Sequence, residues 1–225
     1  MASHERACVR RRIGVGNADV IVRNAVDDEA GASWLDDVDA VIVGGSGDYS
    51  VHHPGSEPWV SRLRHLLDGA LDSHMPGFGI CFGHQLLGYH LGARVETDQR
   101  AEVGTIDVQL TPSGASDELF STLDHDFPVH TGHSDHVVDI PDDLELLASA
   151  PTLDTQAFRV RGTRFYTTQF HPDLTGAEAV ARYRAFAETN PDALPNLARF
   201  RPGADVSVSL LRQFVTLASQ AANDE

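Results

Sequence analysis

Apolar residues along this chain fall into short runs and spaced stripes. Asp39-Ala40-Val41-Ile42-Val43 is a compact apolar run that reads as a buried parallel strand, and it ends in Gly44-Gly45-Ser46-Gly47. From Trp59 to Leu71 the positions Val60, Leu63, Leu66, Leu67 and Leu71 lie close to helical spacing, which predicts a helix with one face on a sheet. Leu86-Leu87-Gly88-Tyr89-His90-Leu91 continues as a helix, and Gly92 supplies its stop. Thr105 to Leu110 alternates as a half-buried strand does. Asp19-Val20-Ile21-Val22, Leu144 to Ala148, Gln156 to Val160 and Arg164 to Phe170 are further strands by pattern; the last three are closely spaced without intervening helices, which predicts an antiparallel extension. Helices return at Ala177 to Thr189 and Val206 to Ala221, with turns at Asn190-Pro191-Asp192 and Arg201-Pro202-Gly203. The sum is an α/β domain built on one core, which a chain of 225 residues can bury.

Composition narrows the setting. All 17 basic residues are arginine, aspartate outnumbers glutamate, and the formal charge is -16. Such a surface repels phosphates, so neither nucleic acid nor an acidic membrane is an attractive partner. Acidic, lysine-free chains resemble proteins of a high-salt cytoplasm, where a screening length of about 3 Å at 1 M suppresses self-repulsion. A GC-rich genome explains the missing lysine but less readily the aspartate excess. Arg10-Arg11-Arg12 is not followed by an apolar stretch of leader length, because Asn17 and Asp19 interrupt it, and no run reaches membrane-spanning length. Two cysteines make no disulfide framework; Cys8 reads as incidental, and a reactive Cys81 has to stay reduced, which favours a cytoplasmic location.

The chemistry centres on Gly79-Ile80-Cys81-Phe82-Gly83-His84-Gln85, which puts a cysteine on a glycine-flanked turn directly before a helix. Small neighbours are what a sharp strand-to-helix turn needs, and such a turn exposes a nucleophile at the top of a sheet. The helix N-terminus also favours negative charge on a thiol placed there. On this position alone, a buried structural cysteine is an equally good reading. Tyr166-Thr167-Thr168-Gln169-Phe170-His171-Pro172-Asp173 reads as a strand ending in a proline-stopped turn, so His171 emerges at a strand end with Asp173 two residues on. A cysteine nucleophile needs an imidazole and a third group to orient it. Backbone N–H groups in the glycine turn near Gly45, with that of Phe82, are suited to an oxyanion. A flexible loop is the plain alternative for the turn; a phosphate loop ending in Gly-Lys is excluded by the absence of lysine.

These segments, with His133-Ser134-Asp135, give the chain its resemblance: it resembles the class I, triad-type glutamine amidotransferases, and most of all stand-alone proteins related to the amidotransferase part of GMP synthase. The elbow Gly79-x-Cys81-x-Gly83-x-Gln85, the glycine turn, His133-Ser134-Asp135 and Gln169-Phe170-His171-Pro172-Asp173 match in order and spacing over about residues 38 to 175. The resemblance implies a flavodoxin-like fold with a mostly parallel central sheet, helices on both faces and a small antiparallel extension. It implies one amidotransferase-like domain over residues 1–225, with a C-terminal helical extension at about 190–225. Cys81, His171 and Asp173 would be the triad, Gly45 and Phe82 the oxyanion donors, and Gln85, His133, Ser134 and Asp135 the glutamine-binding residues.

By the same resemblance, the activity is hydrolysis of the glutamine γ-amide through a cysteinyl thioester, with no cofactor and no metal. Its partners are glutamine and an ammonia-accepting synthetase on another chain, since no nucleotide-binding synthetase region is visible; otherwise the enzyme acts alone. A γ-glutamyl conjugate hydrolase on the same triad and a non-catalytic regulatory relative are the other readings.

The chain departs from the family at two places. Asp173 stands where the family usually has glutamate, and the chain opens Met1-Ala2-Ser3-His4-Glu5-Arg6-Ala7-Cys8 where the family has an apolar first strand. The second departure creates the expectation that the natural start lies upstream. His130, His133 and His136 recur every three residues, a spacing metal ligands can have, but Pro128 and Gly132 argue against a helix that would align them. The charge pattern gives a first prediction: melting temperature falls as KCl is removed, and a melting temperature unchanged by desalting contradicts the high-salt reading.

Overall fold

The structure is a computed structural model that describes residues 2–16, 19–46 and 49–223, so Gly47 of the glycine turn lies outside the described residues. Seven strands form one sheet: β1 (Val41–Val43), β2 (Gly77–Ile80), β3 (Arg94–Leu110), β4 (Asp126–Val138), β5 (Leu144–Ser149), β6 (Ala157–Val160) and β7 (Phe165–Thr168). Their order across the sheet is β1-β2-β7-β6-β5-β3-β4. Pairing is parallel only for β1 with β2 and β2 with β7; the other four pairings are antiparallel. This corrects the expectation of a mostly parallel sheet. The chain returns from β4 to β7 through short turns rather than helical crossovers, and strands joined that way can only pair antiparallel.

The helices are α1 (Ala2–Ile13), α2 (Glu57–Asp72), α3 (Phe82–His90), α4 (Pro112–Ser116), α5 (Gly176–Thr189) and α6 (Leu210–Asn223). α2 buries Val60, Leu63, Leu66 and Leu67, as its spacing predicts. Its face joins Phe82, Leu86 and Leu87 of α3 and Phe158 and Phe165 of the sheet in one apolar cluster. A second cluster joins Phe78 and Ile80 of β2 to Leu210, Leu211 and Phe214 of α6. β2 thus carries core on both faces, and all four of its residues are buried. α5 starts with a full capping box, in which the Thr175 side chain accepts from the Glu178 N–H and the Glu178 carboxylate accepts from that of Thr175.

Three readings of the pattern change. Asp19-Val20-Ile21-Val22 is not a strand; Val20 packs against the apolar cluster around α6, while Ile21 is 56% exposed. A strand needs a neighbour, and β1, at the sheet edge, pairs only with β2 among the described residues. His133-Ser134-Asp135 lies within β4 rather than on a loop. The first described element is helix α1, where the pattern gave no element at all.

α3 approaches β1 so closely that no side chain fits between them: a Cβ on Gly83 would lie 2.3 Å from the Val43 carbonyl oxygen. Gly83→Ala is therefore expected to destabilise the protein by about 3 kcal/mol, as overpacking against backbone does. Urea unfolding measures it, and a loss under about 0.5 kcal/mol, the range of ordinary surface changes, contradicts the packing argument.

Candidate active site

Cys81 sits between β2 and α3 with φ 51 and ψ -96, a backbone conformation that L-residues adopt only when their surroundings impose it. The Cys81 N–H donates to the Thr168 carbonyl at 2.8 Å, which ties the turn to the end of β7. A Cβ on Gly79 would lie 2.7 Å from the Gly83 carbonyl group, so glycines at 79 and 83 are what let the chain turn here. Phe82 is the first residue of α3, and its N–H is among those that have no partner within the helix.

The same β7 end delivers the histidine. Three residues past the end of β7, the His171 N–H donates to the His130 carbonyl on β4, at 2.9 Å. His171 Nδ1 is 3.0 Å from Asp173 Oδ1, so the aspartate reaches the imidazole despite being one methylene shorter than glutamate. Arg182 of α5 donates from Nη2 to Asp173 Oδ2 at 2.7 Å, holding the other carboxylate oxygen. Its Nη1 is 3.2 Å from His171 Nδ1. Asp173 is fully buried and His171 nearly so.

Burial alone would lower the basicity of His171, but the Asp173 carboxylate and its hydrogen bond, joined by an interaction with the Cys81 side chain, outweigh it and raise the pKa to about 10. Burial likewise pushes Asp173 up, and His171 followed by Arg182 overcomes it, holding the carboxyl at about 2. Gly45 lies against both reacting groups: a Cβ placed on it would be 3.4 Å from His171 Cε1 and 3.9 Å from Cys81 Cβ. Cys81, His171, Asp173, Gly45 and Phe82 are thus brought together from separate turns and element ends. That constellation is a nucleophile, a base with its orienting carboxylate, and backbone donors for negative charge.

A model of the family described as glutamine amidotransferase class-I matches residues 3–185. The chain belongs to the class I glutamine amidotransferase family. It is 30% identical over 172 residues to the glutamine-hydrolysing subunit of the GMP synthase of Thermoplasma acidophilum, covering 76% of this chain and 78% of that one. It is 36% identical over 104 residues to the GMP synthase of Staphylococcus aureus, covering 46% of this chain but only 20% of that longer protein. The fold is similar to the solved structure of a GMP synthase subunit-like protein from Thermoplasma acidophilum, with a TM-score of 0.73, 22% identity, and 100% and 92% of the two chains covered. It is also similar to that of a glutamine amidotransferase from Thermotoga maritima, with a TM-score of 0.65, 21% identity, and 82% and 79% covered.

The residues expected to bind substrate are placed less uniformly in this amidotransferase. Gln85 is buried and its Nε2 donates to the Asp135 carbonyl at 2.7 Å, with Gln169 Oε1 at 3.4 Å; this links α3 to β4 beside the elbow. Ser134 is exposed on β4. Asp135 accepts from Thr97 at 2.7 Å. His133 points into the interior, where its Nε2 is 3.1 Å from the buried Glu102, which also accepts from Gln156 at 2.7 Å.

The three β4 histidines have separate neighbours: His130 meets Thr105 and Asp205, His133 meets Glu102, and His136 meets the Ser134 carbonyl and Glu96. No group of three or more His, Cys, Asp or Glu side chains among the described residues is placed to hold a metal ion. His84, on the elbow helix, is driven down to about 3 by burial and then by His133, and its Nδ1 meets Thr167 at 2.8 Å; it is a neutral packing residue.

Pattern reading did not pick out Arg182, nine residues beyond Asp173 on a helix with no local mark of the contact. Gln169 belongs to the matched segment, and its Nε2 lies 3.7 Å from Cys81 Sγ.

The charge pair makes stability depend on pH in a defined direction. His171 is raised above its ordinary 6.5, so its contribution is complete below about pH 6.5 and is lost as pH rises towards about 10. Asp173 is lowered from 3.8, so its contribution is complete above about pH 3.8 and is lost as pH falls towards about 2. Asp173→Asn should therefore cost about 3 kcal/mol between those limits, the usual effect of breaking a buried pair. The deficit should shrink as pH rises from 6.5 to 10. A deficit that stays constant across that range in urea unfolding contradicts the pairing.

Proposed function

We propose that this protein hydrolyses the γ-amide of glutamine through a thioester on Cys81, releasing ammonia and glutamate. The observation that carries the reading is the convergence of the elbow cysteine with His171 and its 3.0 Å contact to Asp173, in a chain of the glutamine amidotransferase family. The Cys81 sulfur attacks the γ-carbonyl carbon, and its proton passes to His171. Negative charge on the carbonyl oxygen is held by the N–H groups of Gly45 and Phe82, donors fixed in advance by the glycine turn and the helix start.

As the carbon–nitrogen bond breaks, His171 gives its proton to the leaving nitrogen and ammonia departs. A high proton affinity at His171 suits this step, because the imidazole keeps the proton until the amine takes it. Water then attacks the thioester with His171 as base; the carbon–sulfur bond breaks, returning the thiol and releasing glutamate. Asp173 keeps Nδ1 protonated, so that Nε2 is the nitrogen that works. Arg182 anchors the far oxygen of Asp173 and so limits its rotation. Gln85 positions the substrate side of the elbow through its link to the Asp135 carbonyl, next to Ser134.

The ammonia is delivered to a synthetase on another chain. Support comes from the naming of similar proteins as one subunit of a glutamine-hydrolysing GMP synthase, and from the absence of a further sheet among the described residues. No described helix is long and apolar enough to cross a membrane.

A chloroketone analogue of glutamine tests the reading. It is expected to modify Cys81, as located by peptide mass spectrometry, to be slowed by excess glutamine, and to give no adduct with Cys81→Ala. Labelling elsewhere, or no labelling alongside undetectable ammonia release, contradicts it. Faster hydrolysis of γ-glutamyl amines than of glutamine would point instead to a conjugate hydrolase on the same residues.

A further inference from the structure

Helix α1 lies over the site, and one of its side chains enters it. Glu5 Oε1 accepts a hydrogen bond from the Gly45 N–H at 2.6 Å. The same oxygen is 3.0 Å from where a Cβ on Gly44 or Gly45 would stand, and the Gly45 position is the one that faces His171 Cε1 and Cys81 Cβ. A glutamate side chain ends in the γ-carboxylate of the reaction's own product, and it has the shape of the substrate's γ-carboxamide. Here that group occupies the backbone donor assigned to the oxyanion.

The rest of α1 is fastened around this contact. Cys8, three residues on, is completely buried against Leu174, Ala179 and Phe200. Arg11 pairs with Glu178 at 2.7 Å, and Arg12 pairs with the other oxygen of the same carboxylate. Arg182, which holds Asp173, also reaches His4 at 3.4 Å. Glu5 therefore arrives at Gly45 on a helix anchored by apolar packing and by two ion pairs to α5.

We infer that α1 is an intramolecular plug, in which Glu5 competes with glutamine for the Gly45 N–H and the helix must lift away before substrate binds. The inference rests on the proposed roles of Cys81 and Gly45. Burial pushes the Glu5 carboxyl above its ordinary value, with Asp173 adding to the effect, so the plug is held in a place where its charge is disfavoured. Such a contact yields more readily than a solvated one. Only the open fraction of molecules binds substrate, so the apparent affinity falls by that fraction.

Two reagents on purified wild type, Glu5→Ala and Arg11→Ala/Arg12→Ala separate the plug from the reaction. Iodoacetamide reports access to Cys81 without any need for glutamine recognition, and ammonia release reports the reaction. Glu5→Ala is expected to alkylate faster at Cys81 and to lower KM for glutamine about 10-fold, with kcat changed less than about 2-fold. The double arginine variant, altered away from the reacting groups, should shift in the same direction by less. Equal or slower alkylation in both variants overturns the plug, whatever the activity. Faster alkylation in a protein that releases no ammonia upholds the plug and overturns the glutaminase reading instead.

Discussion

The geometry of this protein depends on one close approach of backbone to backbone. α3 starts so near the end of β1 that position 83 has no room for a Cβ, and the turn before it folds so tightly that position 79 has none either. Cys81 is the residue left between them, held at positive φ with its N–H bonded to the end of β7. Each neighbour of the thiol follows from that constraint. The β7 end that anchors Cys81 leads within three residues to His171, the β1 end leads directly to Gly44 and Gly45, and the first turn of α3 supplies the free N–H of Phe82. Strain at one residue is offset by packing on both faces of β2, whose Phe78 and Ile80 are completely buried.

Around the elbow the electrostatics are balanced rather than neutral. Two carboxylates, Asp173 and Glu5, meet one imidazole and one guanidinium in a largely dry space. Asp173 is the favoured partner, because it contacts both cations directly, at 3.0 and 2.7 Å. Glu5 has a single backbone donor and the repulsion of Asp173, and its carboxyl is pushed up as a result. The same low-dielectric surroundings that strengthen the His171–Asp173 pair therefore weaken the hold of α1 on the site. A site and a plug of this kind are linked: whatever strengthens the pair makes the competing carboxylate easier to displace.

Much of this arrangement was legible in the sequence, and the rest was hidden for identifiable reasons. The run through Val43, the stripe on α2 and the strands from Leu144 onward obey simple periodicity, so their placement followed from pattern. The elbow was legible because glycine at positions 79 and 83 has a steric cause. β4 was not legible: Pro128, Gly132 and three histidines break the alternation, and the strand is buried on both faces at its C-terminal end. The balance of parallel and antiparallel pairing escaped because it depends on connections, not on composition. Val20-Ile21-Val22 has the composition of a strand but lacks a neighbour to pair with, which no local signal records. Arg182 and Glu5 are long-range partners of the site, carried on helices whose sequences mark no contact.

The central claim is that the Cys81 sulfur forms a bond to the γ-carbon of glutamine while the amide nitrogen leaves. Rapid mixing with glutamine labelled with heavy nitrogen in the side-chain amide, followed by an acid quench and mass spectrometry of the Cys81 peptide, observes that bond directly. The expected result is a transient γ-glutamyl thioester on Cys81 that has lost the labelled nitrogen, with labelled ammonia appearing as fast as the adduct. Labelled ammonia released with no adduct at Cys81, and at an unchanged rate in Cys81→Ala, would contradict it.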